Sequence, residues 1–113
     1  MLFLPEGEHH ELGLLFANYL IRSSGHRTLY LGQSMPISDL ESVRTKFKPD
    51  VIFTSATAGT PLLQTDTFIG QLVEKFPESK ILLTGRYFVE TDAVHPDSVG
   101  IIRHPEDLRR FLV

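Results

Sequence analysis

The sequence predicts an α/β domain: a parallel sheet of five strands with helices on both faces. Three observations predict it. Short segments that are apolar throughout alternate with helical patterns, as strands covered on both sides by helices do. Small or turn-forming residues (Pro5, Gly32, Ser55, Gly85) close the strand segments just before the next helix begins. The chain has 113 residues and is 42% hydrophobic, enough for one core and too short for two.

The elements follow in order. Leu2–Leu4 is an apolar strand run ended by Pro5 and Gly7. Glu11 to Ser24 reads as a helix, with Leu12, Leu15, Phe16, Tyr19 and Leu20 at helical spacing and Gly25 just past its end. Thr28–Leu31 is a strand closed by Gly32. Ser38 is placed to cap a helix running to about Lys46, with Glu41 three residues on as its capping-box partner. Val51–Thr54 is the third strand, followed by a Thr/Ala/Gly-rich loop and a helix from about Pro61 to Phe76. Lys80–Thr84 is the fourth strand and Val99–Ile102 the fifth, and Pro105 opens a last helix. The pattern is that of a flavodoxin-like (Rossmann-like) doubly wound domain. Phe16, Tyr19, Phe47, Phe53, Phe68 and Phe76 are expected in its core. Leu2–Leu4 reads as the end of a strand, yet it follows the first residue directly. Residues 1–113 are therefore expected to be a single domain excised from a longer protein.

Bulk properties narrow the function. The net charge is −3, which argues against this segment gripping nucleic acid, since phosphate binding needs a basic surface. There is no cysteine, so disulfides, thiolate metal sites and cysteine nucleophiles are excluded. No apolar run approaches the roughly 20 residues of a membrane span, and the N-terminus lacks signal-peptide character. A cytoplasmic address is the default expectation. No serine–histidine–acid arrangement, P-loop or G-x-G-x-x-G occurs, and the third strand does not end in aspartate as a phospho-acceptor domain would. Chemistry at a substrate is not expected.

In doubly wound folds, ligands bind beyond the carboxyl ends of the strands, where strand order reverses. Glu8–Gly13, Gly32–Pro36, Ser55–Thr60 and Thr84–Phe88 are all expected in loops on that edge. His10 can present a ring nitrogen to a metal there. Its other nitrogen needs a partner to fix the tautomer, usually a carboxylate, and Glu8 lies two residues upstream. Gly13 would let a bulky ligand approach the following helix. The run Glu8-His9-His10-Glu11 could also be read as a zinc site. Adjacent positions point apart, however, and the usual helical pair is i, i+4.

Spacing strengthens the reading. Forty-one residues separate Gly13 from Ser55, which opens Ser55-Ala56-Thr57, and twenty-six more lead from Thr57 to Thr84-Gly85. Glu8-x-His10-x-x-Gly13, Ser55-x-Thr57 and Thr84-Gly85 together resemble the D-x-H-x-x-G, S-x-L and G-G signals of cobalamin-binding domains in methionine synthase and the mutases. The resemblance spans nearly the whole chain. It implies that His10 replaces the nucleotide base of cobalamin as lower cobalt ligand, with Glu8 as its acid partner. It implies that Ser55 bonds the displaced nucleotide tail and that Gly85 makes room for it. Leu31-Gly32-Gln33-Ser34-Met35-Pro36 resembles the family's L-G-x-x-V-P turn. Three positions depart: Glu8 stands for aspartate, Thr57 for leucine, making the slot more polar, and Thr84 for glycine, narrowing it.

Phe3–Leu20 with Leu29–Gln33 is similar to the C-terminal cobalamin-binding region of MerR-type transcriptional regulators, whose E-x-H-x-x-G form matches Glu8. That likeness implies a sensor domain binding cobalamin, in some members adenosylcobalamin, that reaches DNA only through an N-terminal domain and can form homo-oligomers. The other readings are a cobalamin-carrying module of a methyltransferase or mutase, and a degenerate domain that binds haem or only protein.

Overall fold

The computed structural model describes residues 1–56, 65–89 and 97–112. The strands are β1 (Leu2–Pro5), β2 (Tyr30–Met35), β3 (Val51–Ser55), β4 (Lys80–Thr84) and β5 (Val99–Ile101). The helices are α1 (Leu12–Ser23), α2 (Leu40–Lys46), α3 (Thr65–Lys75), the single turn α4 (Arg86–Val89) and α5 (Pro105–Leu112). The sheet order is β2-β1-β3-β4-β5, and every pairing is parallel. This is the flavodoxin-like order, whose reversal falls between β1 and β3.

Strand alternation sorts the core into two layers. Leu2, Leu4, Phe53 and Leu82 pack with Leu14, Ala17, Leu20 and Ile21 of α1 and Leu108 of α5. Phe3, Ile52, Ile81 and Leu83 pack with Leu40 of α2, Phe68, Ile69 and Leu72 of α3, and Phe88 of α4. Phe68 sits between Phe3 and Phe88, with centroids 6.3 and 5.9 Å away, within the favourable range for aromatic pairs.

Four features differ from the sequence expectations. First, α1 buries Leu14, Ala17, Leu20 and Ile21, while Leu12, Leu15, Phe16 and Tyr19 are exposed. The helix carries two interleaved apolar stripes, and the shorter side chains face the sheet. Phe47 is exposed as well, so only Phe53, Phe68 and Phe76 of the expected aromatic core are buried. Second, β2 continues through Gly32 to Met35, placing Gly32–Met35 in the strand rather than in a loop. Third, Ser38 lies in a 3-10 turn (Ile37–Asp39), and Asp39 precedes α2 with no side-chain cap bond. The capping box does not form because Glu41 turns instead to Arg44 and Lys75. Those bonds, Lys75 first, hold its carboxyl below the usual carboxylate range. Fourth, α4 had no expected counterpart. The final helix starts as expected, with Pro105 in its first turn. Asp107 reaches back to accept from the backbone N–H groups of Arg103 and His104, both at 3.1 Å.

Candidate functional site at the exits of β1, β3 and β4

The chain leaves β1 at Pro5 and turns at once, the Glu8 N–H donating to Pro5 O at 2.9 Å. This turn drives the Glu8 side chain inward, so the residue is only 2% exposed. A buried carboxylate needs a partner, and Glu8 Oε1 lies 2.8 Å from Nδ1 of His10. The imidazole itself points out, its side chain 71% exposed. An ionised carboxylate only accepts, so with Glu8 in that form this bond calls for the hydrogen on Nδ1, and a neutral ring then carries its lone pair on Nε2. That tautomer and orientation are what a histidine needs to bind a metal through Nε2.

Further bonds tie this loop to the end of β2. The Ser34 N–H donates to Glu8 O at 3.1 Å, and the Gly7 N–H donates to Ser34 Oγ at 3.2 Å. His9 Nδ1 pairs with Gln33 Oε1 at 2.9 Å. Ser34 adopts a φ of 52°, in the left-handed region, which non-glycine residues hold only where surroundings impose it. Tyr30 donates its hydroxyl to Glu11 Oε2 at 2.6 Å, fixing the residue just before α1. Burial first, then the Glu11 carboxylate, pushes the Tyr30 phenol up to about 12. Sequence reading singled out none of these links. Polar Gln33 and Ser34 at the end of an otherwise apolar strand were the available signal.

The remaining predicted residues fall at two places. Gly13 is in the first turn of α1, and the direction its side chain would take is open. Ser55 and Thr84 are register partners at the ends of β3 and β4, and Ser55 is buried. Both belong by alternation to the face covered by α1 and α5. Thr84 donates its hydroxyl to Ile102 O at 2.7 Å, binding β4 to the chain leaving β5. Its polar arm is thus held by the protein's own backbone. Gly85 has a φ of 94°, and a Cβ there would lie 2.4 Å from Ala56 O and 2.8 Å from Ser55 Oγ. The space its missing side chain leaves is filled by the exit of β3, whereas the sequence reading gave that space to a ligand. Thr57 lies outside the described residues.

The arrangement therefore offers, at the β1/β3 reversal, a solvent-facing imidazole oriented by a buried carboxylate, flanked by an open helix turn and by the exposed His9 that Gln33 holds. Among the described residues, no group of three or more His, Asp or Glu side chains is placed to hold a metal ion. A metal at His10 would have to bring most of its own ligands. A cavity of about 370 Å³ lined by Leu2, Ile21, Phe53 and Leu108 lies at the opposite, amino-terminal end of the strands. Among the described residues, no helix is long and apolar enough to cross a membrane.

The sequence matches no protein-family model and no curated protein. Solved structures do match. A cobalamin-binding protein from Desulfitobacterium hafniense DCB-2 superposes over 99% of this chain and 57% of its own, with a TM-score of 0.72 and 14% identity. The monomethylamine corrinoid protein of Methanosarcina barkeri superposes over 98% of this chain and 55% of its own, with a TM-score of 0.75 and 17% identity. The chain thus spans a little over half the length of each, and it has their fold.

Proposed function

We propose that this chain is a cobalamin-binding module in which Nε2 of His10 would hold the cobalt. The observation that carries the reading is the buried Glu8 carboxylate on His10 Nδ1, which aims an exposed imidazole out of the ligand edge. A corrinoid would bring most of its cobalt's ligands with it, so one protein ligand would suffice. That fits a site where His10 is the imidazole held by a buried carboxylate and no ligand cluster forms among the described residues. Two solved structures of this fold are of a cobalamin-binding and a corrinoid protein, which supports the same reading.

This chain's residues divide the work. Glu8 fixes the tautomer and orientation of His10. Gly13 leaves the first turn of α1 open to a flat ligand lying over the edge. Ser55 presents a buried hydroxyl at the end of β3. Gly85 packs closely on Ala56 and on the Ser55 hydroxyl, so it keeps that hydroxyl beside the end of β4. When bound, the cobalt centre supplies the cobalt–carbon bond that underlies alkyl transfer, radical chemistry and light sensing.

We further propose that the module is the sensory domain of a MerR-type bacterial regulator, with DNA contacted through a separate domain, and that it acts in the cytoplasm without catalysing a reaction itself. Support comes from Phe3–Leu20 and Leu29–Gln33, and from glutamate rather than aspartate at position 8. The likeness to a monomethylamine corrinoid protein favours a second reading, a cobalt-carrying module for methyl transfer. Titration with hydroxocobalamin tests the binding. A spectrum showing histidine ligation that disappears in His10→Ala is expected, and no uptake by the parent protein would sink the proposal. Sequence encoded upstream separates the two contexts: a winged helix-turn-helix marks the regulator.

A further inference from the structure

Residues 8–11 read Glu-His-His-Glu, an unbroken run of side chains that bind metal ions. Adjacent residues diverge on a regular strand or helix, but this run lies between β1 and α1 and belongs to neither. Loop backbone alone does not keep its side chains apart. Imidazole with carboxylate is a donor set that zinc and other divalent first-row ions take readily. Yet among the described residues no three such groups come together. The hydrogen bonds show why. Glu8 turns inward and holds His10 Nδ1. The residues on either side of His10 are both drawn to β2. Glu11 Oε2 accepts from the Tyr30 hydroxyl at 2.6 Å, and His9 Nδ1 pairs with Gln33 Oε1 at 2.9 Å.

We infer that Tyr30 and Gln33 determine which metal the loop accepts: by holding Glu11 and His9 aside, they stop it closing round a bare divalent cation and keep His10 for a cobalt that arrives with its own ligands. The inference rests on the role proposed for His10 and extends it to selectivity. Selectivity is a difference between two affinities, and these two bonds lower the affinity for the competitor. A bare ion needs several protein donors, so closing the loop round it breaks the Tyr30–Glu11 bond, the Gln33–His9 bond or both. Binding a corrinoid through His10 alone leaves both intact. Tyr30 is the stronger restraint. Its bond is short and its acceptor is a carboxylate, and hydrogen bonds to ionised acceptors are roughly twice as strong as neutral ones. Gln33 is exposed and offers an uncharged amide, so it restrains His9 less. One strand thus carries both residues that keep the ion-binding run open.

Equilibrium dialysis of the purified 113-residue chain against cobalt(II) chloride and zinc(II) chloride, beside a titration with hydroxocobalamin, tests it. Tyr30→Phe keeps the ring and removes only the hydroxyl, and Gln33→Leu alters an exposed side chain. The parent protein is expected to bind either bare ion weakly. The double variant should bind cobalt(II) at least ~10-fold more tightly, the scale on which single partners of a metal-binding histidine act. It should also show the visible absorption of a protein-ligated ion, and Tyr30→Phe alone should give most of the gain. Adding Glu11→Gln should remove the gain, which a merely loosened fold would keep. Hydroxocobalamin affinity should change little, so the preference for the corrinoid falls. A double variant that binds the bare ions no more tightly than the parent, or a gain that survives Glu11→Gln, would overturn the inference. A parent protein that takes up no hydroxocobalamin would sink the cobalamin reading alone, because the gain in bare-ion affinity is measured without it.

Discussion

Glu8 is among the most buried polar residues of the domain, and the imidazole it holds, His10, is among the most exposed side chains of its loop; 2.8 Å separates their bonded atoms. The pair converts burial into orientation. The carboxylate has almost no water to turn to, so the ring that satisfies it takes up one direction. Glu8 and His10 therefore act in series, and their losses should differ in kind.

His10→Ala is expected to remove any histidine-ligated cobalamin spectrum and weaken binding. Glu8→Gln should weaken binding less, by ~10–100-fold, the usual cost of losing the partner of a metal-binding histidine. Spectral titration of both variants measures this. If Glu8→Gln proved the more damaging, the carboxylate would have to touch the ligand itself.

Two glycines with similar backbone angles should respond differently to alanine. Gly25 has a φ of 90° and open space around it, whereas Gly85 has a φ of 94° and Ala56 O where a Cβ would go. Gly25→Ala is expected to cost ~1–2 kcal/mol from the left-handed backbone alone. Gly85→Ala should cost clearly more. Urea denaturation of the two variants isolates the contact; equal losses would mean that the β3 exit yields freely.

Thr84→Val should destabilise the fold by ~1 kcal/mol, because it keeps the shape and leaves Ile102 O without its 2.7 Å donor. Thr84→Ser keeps the donor and drops only a methyl group. It should therefore retain most of the stability and give ligand-binding assays a narrower side chain at the end of β4. A valine variant as stable as the parent would show that water replaces the hydroxyl at no cost.

Tyr30 supplies a pH dependence. Its phenol, ordinarily 10.0, is raised to about 12 by burial and by Glu11. The folded state therefore holds that proton more tightly than the unfolded chain. Its contribution to stability is complete below pH 10 and is lost as pH rises through 12. The denaturation midpoint should fall across that window in the parent protein and much less steeply in Tyr30→Phe. Ultraviolet difference spectra should show the late phenolate transition vanish in the same variant.

Much of this was legible in the sequence. The alternation of apolar strands with helices gave the layers, and Glu8 and His10 could be paired because they sit two residues apart at a strand exit. The α1 face was misread because Leu12-Leu15-Phe16-Tyr19 and Leu14-Ala17-Ile21 both satisfy the helical period; spacing finds a stripe but not the side that meets the sheet. Gly32 looked like a terminator yet lies inside β2, because an edge strand tolerates glycine while its neighbour supplies the ladder. Helix α4 is four residues long, too short for any periodicity. The role of Gly85 was invisible because a glycine that admits a ligand and one that admits the protein's own carbonyl look identical in one dimension.

The grip of Gln33 and Ser34 on Gly7, Glu8 and His9 has a mechanical consequence. Strand β2 is an outer strand, joined only to β1, so it can shift without tearing the ladders between β1, β3 and β4. A pull on His10 from outside would pass along its loop into β2 and on toward α2, as well as into β1, from which the loop leaves. The histidine thus sits at the end of a lever whose far arm runs along one rim of the domain. Whatever engages or releases the imidazole should therefore be felt at that rim, at Gln33 to Asp39, and not only in β1.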